Sequence, residues 1–279
     1  MREKITIQTL LNHKQAGKGI SMLTCYDYAT ATSLEAAEID TILVGDSLAS
    51  VLLGYRSTIP AEMDLMIALS LAVRKGAPSA YLIGDMPFLS YQPSIEHAML
   101  NAGRFLKEAQ CDAVKLEVSQ YHEPIVKALS EAGISVMAHI GLRPQHIDKV
   151  GQYKCQGKTI AQAKAIIEDA KRMEDAGATT ILLEAVTTEV AQKVTEICTI
   201  PVISCGSGPA CDGQVLVIHD LLGLPGASDA KFIKQYGQLG LQMTSCIKQY
   251  IEEVAVKSFP APQHCYHMVA SDKSQLEKL

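Results

Sequence analysis

Five short apolar runs, each ending on a chargeable residue, constrain the fold of this chain most strongly. The runs span residues 41–47, 81–85, 113–117, 135–139 and 180–184. The chargeable residues at their ends are Asp46, Asp85, Glu117, His139 and Glu184. Runs of this length, rich in β-branched residues and bounded by glycine, are typical of buried parallel strands. Because α/β folds place their chemistry at the carboxyl ends of such strands, we expect these side chains to meet at one rim.

Strand and helix signals alternate from about residue 20 to about residue 255. Eight candidate strands begin near Ile20, Thr41, Ala80, Ala113, Ser135, Thr180, Pro201 and Gln214. The clearest helix runs from Ile160 to Ala176, where apolar residues recur every three or four positions, and it stops at Gly177. Residues 1–18 are predicted to be a helical lead-in. Eight βα units predict a (β/α)8 TIM barrel, with a doubly wound sheet as the alternative.

Composition adds the limits on class and location. A chain of 279 residues, 48% hydrophobic, can fill one barrel, which we assign to residues 1–267, with a solvated tail over 268–279. The net charge of -5 without a basic block argues against nucleic-acid binding. No apolar stretch reaches membrane-spanning length and no signal peptide is visible, so the expected location is the cytoplasm. There the eight cysteines, none in a Cys-x-x-Cys pair, are predicted to be reduced and structural.

The run over 113–117 predicts two inward charges. Side chains on a strand alternate between faces, so Lys115 and Glu117 share one face while Val114 and Leu116 share the other. The apolar pair suits the helix layer, which directs the charged pair into the barrel. Burying two charges costs several kcal/mol each unless they are paired or meet a metal or substrate. The alternative is a structural ion pair.

The other strand ends suggest a metal site beside a general base. Asp46 and Asp85 each follow a glycine, a common turn signal, but their shared position in two units favours function. An oxygen-rich site built on two carboxylates suits Mg²⁺. Glu184 shares its face with Leu182, and an apolar wall raises the pKa of a carboxyl group towards that of a base at neutral pH. The alternatives are a helix N-terminal charge for Glu184 and a satisfied core residue for His139.

Two further stretches carry weaker signals. The glycine-rich segment 205–213 has backbone N–H groups that could hold an anion, but it matches no phosphate-binding motif, and a plain turn is the favoured interpretation. His264 and His267 have a poor spacing for zinc.

Several motifs together resemble the ketopantoate hydroxymethyltransferase family. They occur in the order of that family from about residue 5 to His267, and they lie at residues 24–28, 44–48, 74–78, 85–88, 114–117, 139–142, 151–154, 212–214 and 219–220. They include Val-Gly-Asp-Ser-Leu at 44–48 and Asp-Met-Pro-Phe at 85–88, and the set as a whole is specific. The resemblance therefore covers nearly the whole chain.

The resemblance implies a (β/α)8 enzyme of pantothenate biosynthesis that forms a homo-oligomer, usually a decamer. It implies Mg²⁺ as cofactor, 3-methyl-2-oxobutanoate as substrate and 5,10-methylenetetrahydrofolate as co-substrate. By resemblance, Asp46 and Asp85 are the metal ligands, and Glu117 is a third acidic residue of the metal site, directly or through water. Ser47 and Lys115 contact the 2-oxo acid together with the metal ligands, His139 lines the pocket, and Glu184 accepts the proton.

The chain departs from the family pattern at Ala49, Tyr55, Arg56, Val118, Ser119 and Ser207. Several of these positions are glycines or small residues in the family, and added side chains would narrow a pocket or shift the backbone. Two alternatives to the implied activity therefore stay open. One is a divergent paralogue that makes or breaks a carbon–carbon bond in another 2-oxo acid, and the other is a catalytically silent oligomeric scaffold.

Overall fold

Eight parallel strands pair in sequence order and close into a ring, which confirms the predicted (β/α)8 barrel. The computed structural model describes residues 2–146 and 154–276. Its strands are β1 (Ile20–Thr24), β2 (Thr41–Val44), β3 (Tyr81–Asp85), β4 (Ala113–Glu117), β5 (Val136–Gly141), β6 (Thr180–Glu184), β7 (Val202–Cys205) and β8 (Gly213–Leu216). Every predicted strand start lies within one residue of the observed start. The motif segment 151–153 lies outside the described residues.

The helices surround the ring and mostly alternate with the strands. They are α1 (Ile7–Gln15), α2 (Tyr28–Ala36), α3 (Leu48–Val51), α4 (Met63–Gly76), α5 (Ile95–Lys107), α6 (Glu123–Glu131), α7 (Ile160–Asp175), α8 (Thr188–Ile197), α9 (Ile218–Leu222), α10 (Leu239–Ala255) and α11 (Ala270–Leu276). Helix α7 is the helix predicted over 160–176. It begins after Thr159, whose side chain accepts a hydrogen bond from the Gln162 N–H, and it ends before Gly177 at φ +94°.

The strands sort their side chains into two layers, as the period of two requires. One buried cluster fills the lumen with residues such as Met22, Ile83 and Leu182. The other cluster joins the outward faces of the strands to the helices, and it includes Val114 and Leu116. The predicted orientation of β4 is therefore confirmed.

The predicted N-terminal lead-in closes the amino-terminal end of the barrel. Ile5 and Leu10 belong to the same buried cluster as the lumen side chains. Lys4 Nζ lies 2.7 Å from Asp112 Oδ2, and Lys14 Nζ lies 2.7 Å from Asp212 Oδ2. Access to the lumen is thus left to the opposite end, where the strands terminate.

The chain after β7 departs from a regular βα repeat. Residues 206–212, all of them described, connect β7 to β8 without a helix, in agreement with the predicted turn. Helix α10 has Gly240 as its buried residue and otherwise lies largely in solvent. The predicted solvated tail contains α11, whose described side chains are exposed. The structure describes all eight cysteines, and each is a free thiol. None of the helices in the described part of the chain has the length and apolar character needed to cross a membrane.

Candidate active site

A cavity of about 280 Å³ lies at the carboxyl ends of the strands. All seven site residues predicted from the sequence line it: Asp46, Ser47, Asp85, Lys115, Glu117, His139 and Glu184. Its lining also contains Asp220. The described lining residues therefore include five carboxyl groups but a single lysine, which makes the cavity acidic. Apolar residues from β2, β6 and β8 complete the wall. The sequence therefore predicted correctly which strand ends converge.

Glycine at position 84 explains how Asp85 reaches the lumen. A Cβ atom on Gly84 would lie 2.2 Å from the ring of Phe105 on α5, far inside van der Waals contact. Only glycine lets the helix pack this closely on β3. The side chain of the next residue then points to the other face, into the barrel. The Gly-Asp pair is thus a packing requirement on one face and a functional carboxylate on the other.

Asp46, Asp85 and Lys115 form a buried charged cluster. The backbone N–H of Asp46 donates to Asp85 Oδ2 at 2.9 Å, and Lys115 Nζ lies 2.7 Å from Asp85 Oδ1. Burial and the adjacent Asp46 raise the pKa of Asp85 to about 8, although Lys115 opposes them. Burial acts to lower the pKa of Lys115, but the carboxylates Asp85, Asp46 and Glu117 outweigh it, and the net shift is upwards. The lysine is therefore a permanent positive charge.

A line of contacts runs from Lys115 through His139 to Glu184. Lys115 Nζ lies 3.4 Å from His139 Nδ1, and His139 Nε2 lies 3.3 Å from Glu184 Oε2. Burial, and then the charge of Lys115, hold the pKa of His139 well below its usual value, so the ring is neutral. Because the ammonium group has only donors, this contact requires Nδ1 as the acceptor and places the ring hydrogen on Nε2, which lies near Glu184 but has no hydrogen-bond partner among the described residues.

Glu184 occupies an environment suited to a base. Burial raises the pKa of its carboxyl group to about 8, with Lys115 opposing the shift and Asp46 adding to it. The end of β5 approaches closely here, because a Cβ on Gly141, at φ +92°, would lie 2.6 Å from Glu184 O. The Ser207 hydroxyl accepts a hydrogen bond from the Val186 N–H and donates to Leu183 O, on either side of the glutamate. The backbone that carries Glu184 is therefore fixed from two directions.

Gln145 is a central residue that the sequence did not reveal. Its backbone N–H donates to both Glu117 oxygens at 3.1 and 3.2 Å, and its Nε2 donates to Asp46 Oδ2 at 2.9 Å. Its Oε1 accepts from the Tyr91 hydroxyl at 3.1 Å. This one buried amide thus joins the acidic groups of β2 and β4. No local sequence pattern predicts such a contact, because Gln145 and Asp46 are 99 positions apart in the sequence.

Three further lining residues, Cys205, Phe232 and Asp220, were not predicted as site residues from the sequence. Cys205 pairs in register with Glu184 at the end of β7, and Phe232 lies in the segment between α9 and α10. Asp220 belongs to the His-Asp motif at 219–220, and this family motif could have identified it as a site residue. Its Oδ1 accepts from the Ser228 N–H at 2.7 Å. The Tyr26 and Ser47 hydroxyls are 2.8 Å apart, which orients Ser47 at the pocket edge.

The donor set fits a hard divalent cation. Burial raises the pKa of two of its carboxyl groups, Asp85 and Glu117, and so disfavours their charged forms. A bound cation would favour the charged forms by supplying positive charge. Among the described residues, no three side chains of His, Cys, Asp or Glu are arranged as a ready cation site. Mg²⁺ commonly binds through one or two carboxylates and keeps water and substrate as its other ligands. Asp46 and Asp85 fit that arrangement. Glu117 accepts two bonds from the Gln145 N–H, so its predicted place in the metal shell stays a prediction.

The positions that depart from the family pattern do not line the cavity. Val118 packs in the outer core, and the Ser119 hydroxyl contacts His122 within its own turn. The remaining departures, Ala49, Tyr55, Arg56 and Ser207, are also absent from the cavity wall. These side chains therefore do not form the cavity wall.

Fold and site together define a (β/α)8 barrel whose acidic pocket is equipped for acid–base chemistry. The chain belongs to the ketopantoate hydroxymethyltransferase family, whose model matches residues 4–262, and this is a family of transferase enzymes. The 3-methyl-2-oxobutanoate hydroxymethyltransferase of Syntrophobacter fumaroxidans is 47% identical over 279 residues, covering 100% of this chain and 99% of that protein. The protein with the same name from Syntrophus aciditrophicus is 45% identical over 263 residues, covering 94% and 97%.

Solved structures that are similar to the chain share its fold. A phosphoenolpyruvate phosphomutase from Streptomyces platensis subsp. rosaceus has a TM-score of 0.62 at 13% identity and covers 93% of each chain. A phosphonopyruvate hydrolase in complex with oxalate and Mg²⁺ has a TM-score of 0.59 at 11% identity, covering 98% of this chain and 95% of that chain. At these identities the likeness concerns the barrel alone.

Proposed function

We propose that the chain transfers a hydroxymethyl group from 5,10-methylenetetrahydrofolate to 3-methyl-2-oxobutanoate and yields 2-dehydropantoate. The observation that carries the proposal is the contact of a neutral His139 with Glu184, at 3.3 Å, in the same cavity as the Asp46–Asp85 pair. One side of the site suits a chelating 2-oxo acid, and the other suits removal of a proton. The names of the relatives and the intact cavity wall support the same substrate.

The acid end of the substrate is held by polar groups of three strands. Lys115 is the positive charge that attracts the carboxylate, and Ser47 supplies a hydroxyl at the pocket edge. Asp46 and Asp85 would hold Mg²⁺, which when bound supplies Lewis-acid polarisation of the keto oxygen. These contacts direct the isopropyl end of the acid towards the apolar wall and Glu184.

The chemical step begins with proton removal at C3. Glu184 takes the proton, and the electron pair of the C3–H bond forms the enolate, whose charge Lys115 offsets. The neutral ring of His139 packs against this carboxylate, with Nε2 3.3 Å from Glu184 Oε2, and limits its movement. C3 then bonds to the methylene carbon of the donor, the two carbon–nitrogen bonds to that carbon break, and water supplies the hydroxyl oxygen. The proton held by Glu184 and one proton of the water pass to the two freed nitrogens, and tetrahydrofolate leaves.

The proposal is tested by following product formation from the purified chain. With Mg²⁺, the donor and 3-methyl-2-oxobutanoate, we expect 2-dehydropantoate in amounts equal to the tetrahydrofolate released, measured by mass spectrometry. A panel of other 2-oxo acids serves as the comparison. A product from a different acid alone would establish the divergent paralogue. A folded chain that transforms no acid would establish the silent scaffold.

Mg²⁺ is expected to stabilise the folded chain. A cation that binds the native state alone, at 100 times its Kd, stabilises it by about 2.7 kcal/mol, which raises the melting temperature by several degrees. Differential scanning calorimetry with and without Mg²⁺ measures the shift. Asp46→Asn and Asp85→Asn should abolish it, because each removes one proposed ligand.

The matched control for these variants is Asp64→Asn. The Asp64 side chain is 87% exposed and pairs with Arg104 on the barrel surface. This variant should respond to Mg²⁺ as the unaltered chain does. An Mg²⁺ shift that survives in both Asp46→Asn and Asp85→Asn would reject these residues as ligands.

The exchange of the C3 proton with solvent should accelerate as the pH rises. The pKa of Glu184 is raised to about 8, and a base must be unprotonated to act, so the rate climbs with pH and levels off above that value. A bound cation lowers the midpoint, because positive charge favours the carboxylate. The groups that face Glu184 are His139, Lys115, Asp46, Glu117 and Cys205. NMR of the C3 proton in D₂O gives the profile, and a rate that falls between about pH 6 and about pH 8 would contradict Glu184 as the base.

The proposed partners beyond the substrates are further copies of the chain. Helix α10 exposes an apolar stripe of Met243, Ile247, Tyr250, Ile251 and Val254, at the spacing of one helical face. Such a stripe supports the homo-oligomer implied by the resemblance. The decameric size, the place in pantothenate biosynthesis and the cytoplasmic location stay predictions.

A further inference from the structure

We propose that Phe232 is the docking face for the flat heteroaromatic ring of the one-carbon donor, at the mouth of the cavity. The inference rests on the proposed function, because it takes a reduced folate as the source of the one-carbon unit. It adds a binding residue that the sequence did not suggest.

The cavity is large enough for the 2-oxo acid but not for the acid together with a whole folate. At about 280 Å³ it lies just below the range of pockets that enclose a drug-sized ligand. A small 2-oxo acid fits inside, where Lys115 and the carboxylates lie. A folate is several times larger and cannot enter beside the acid. The size of the cavity thus favours a folate ring that lies at the mouth and directs its methylene carbon towards C3.

Phe232 offers an aromatic surface at that mouth. The ring lines the cavity and the residue is still 41% exposed. On its covered side it lies against Gly206, where a Cβ atom would be 2.5 Å from Cδ1 and 2.6 Å from Cγ. Gly206 has φ +72°, a conformation that favours glycine, so the backbone itself makes room for the ring. The exposed side is free to stack on a planar ligand.

The position of this ring relative to the base suits group transfer. Gly206 directly follows Cys205, and Cys205 pairs in register with Glu184 on the neighbouring strand. A planar ligand on Phe232 thus lies above the end of β7, next to the strand end that carries the base. A one-carbon unit projecting from that ligand into the cavity would face the carbon that Glu184 deprotonates.

The segment around Phe232 is anchored, and it carries Lys231 and Lys234 against one acidic residue, Asp229. Ser228 N–H donates to Asp220 Oδ1 at 2.7 Å, and Tyr236 N–H donates to Leu221 O at 2.8 Å, so both ends are tied to α9. Lys231 and Lys234 flank the ring and are exposed. A folate carries its carboxylates on a tail remote from the ring. Lysines outside an acidic cavity complement a donor whose ring is at the mouth and whose tail remains outside.

The test compares three variants of the full chain loaded with Mg²⁺ and 3-methyl-2-oxobutanoate. Phe232→Ala removes the ring, Phe232→Tyr keeps it, and Tyr266→Ala removes an exposed aromatic that does not line the cavity. Isothermal titration calorimetry with tetrahydrofolate measures ring binding directly. Loss of an aromatic stacking partner should raise the Kd about 5- to 150-fold in Phe232→Ala. Phe232→Tyr should stay within about two-fold, and Tyr266→Ala should equal the unaltered chain.

Kinetics separate this inference from the function on which it rests. C3 exchange without donor uses the acid half of the site, whereas transfer needs both halves, so the ratio of transfer to exchange should fall at least about five-fold in Phe232→Ala. Tetrahydrofolate binding that is unchanged in Phe232→Ala would overturn the role of the ring. So would a loss of transfer matched by an equal loss of exchange. An unaltered chain that exchanges no 2-oxo acid rejects the proposed function instead.

Discussion

Replacing Glu184 with glutamine is expected to slow the exchange of the C3 proton of 3-methyl-2-oxobutanoate by about 10²–10⁴-fold. Glutamine keeps the size of the side chain and its contact with His139, but its amide cannot accept the proton. Binding of the acid depends on Lys115 and the carboxylates, so KM should change little while kcat falls. NMR of the C3 signal in D₂O, with Mg²⁺ and without donor, measures both quantities.

The control for this substitution is Glu196→Gln on α8. Glu196 is about half exposed and lies 3.5 Å from Lys193 on the outside of the barrel. It should leave exchange unaltered. Exchange in Glu184→Gln at the rate of this control would show that another group removes the proton, and the assignment of Glu184 would then be wrong.

Replacing Lys115 with methionine is expected to destabilise the fold by about 3–5 kcal/mol, because it leaves Asp85 buried without its partner. The size of the loss should depend on pH. Without the lysine, the pKa of Asp85 in the folded state lies still further above its unfolded value of 3.8. The folded chain then holds a proton that the unfolded chain releases, so stability falls as the pH rises. The unaltered chain shares this slope up to the Asp85 pKa of about 8, so the extra loss in the variant grows as the pH rises through that value. Urea unfolding of both chains between about pH 7 and about pH 9 measures the difference.

The double variant Lys115→Met with Asp85→Asn isolates the pair. Removing both charges leaves neutral side chains of similar shape, which is often close to neutral for stability. We expect this variant to recover most of the loss and most of the pH dependence. If Lys115→Met alone were as stable as the unaltered chain at about pH 8, Lys115 would not compensate the buried charge of Asp85.

The strands of the barrel and the chemistry at their ends were predictable from local patterns. A run such as 180–184 is short, apolar and β-branched, and it can be placed without knowing its neighbours. The same alternation that directs Leu182 inwards directs Glu184 to the rim. Eight such runs favoured a closed ring over a doubly wound sheet, and the structure confirms the ring. The acidic side chains converge because their strands end at the same rim of that ring.

Residues that act through long-range contacts were not predictable in this way. Gln145 lies in a short turn after β5, and its role depends on reaching Asp46 and Glu117 from two other strands. Phe232 lies in an irregular segment, where no periodic pattern assigns a face. The missing helix between β7 and β8 was suggested only by the glycines of segment 205–213.

The departures from the family pattern also needed coordinates to interpret. From the sequence, we expected the side chains of Val118 and Ser119 to narrow the substrate pocket or to shift the backbone. In the structure Val118 packs in the outer core and its N–H donates to His139 O, which supports the strand that carries the histidine. The replaced positions thus belong to the packing around the site, and the cavity wall keeps the acidic and apolar residues on which the proposed activity depends.

A crystal structure of the chain with Mg²⁺ and 3-methyl-2-oxobutanoate tests the central claim most directly. The claim is that side chains from separate strand ends bind one cation and one 2-oxo acid and leave a base facing C3. The expected result is Mg²⁺ about 2.1 Å from oxygens of Asp46 and Asp85, with C3 about 3–3.5 Å from a Glu184 oxygen. An ion bound away from both aspartates, or an acid whose C3 faces away from Glu184, would contradict the claim.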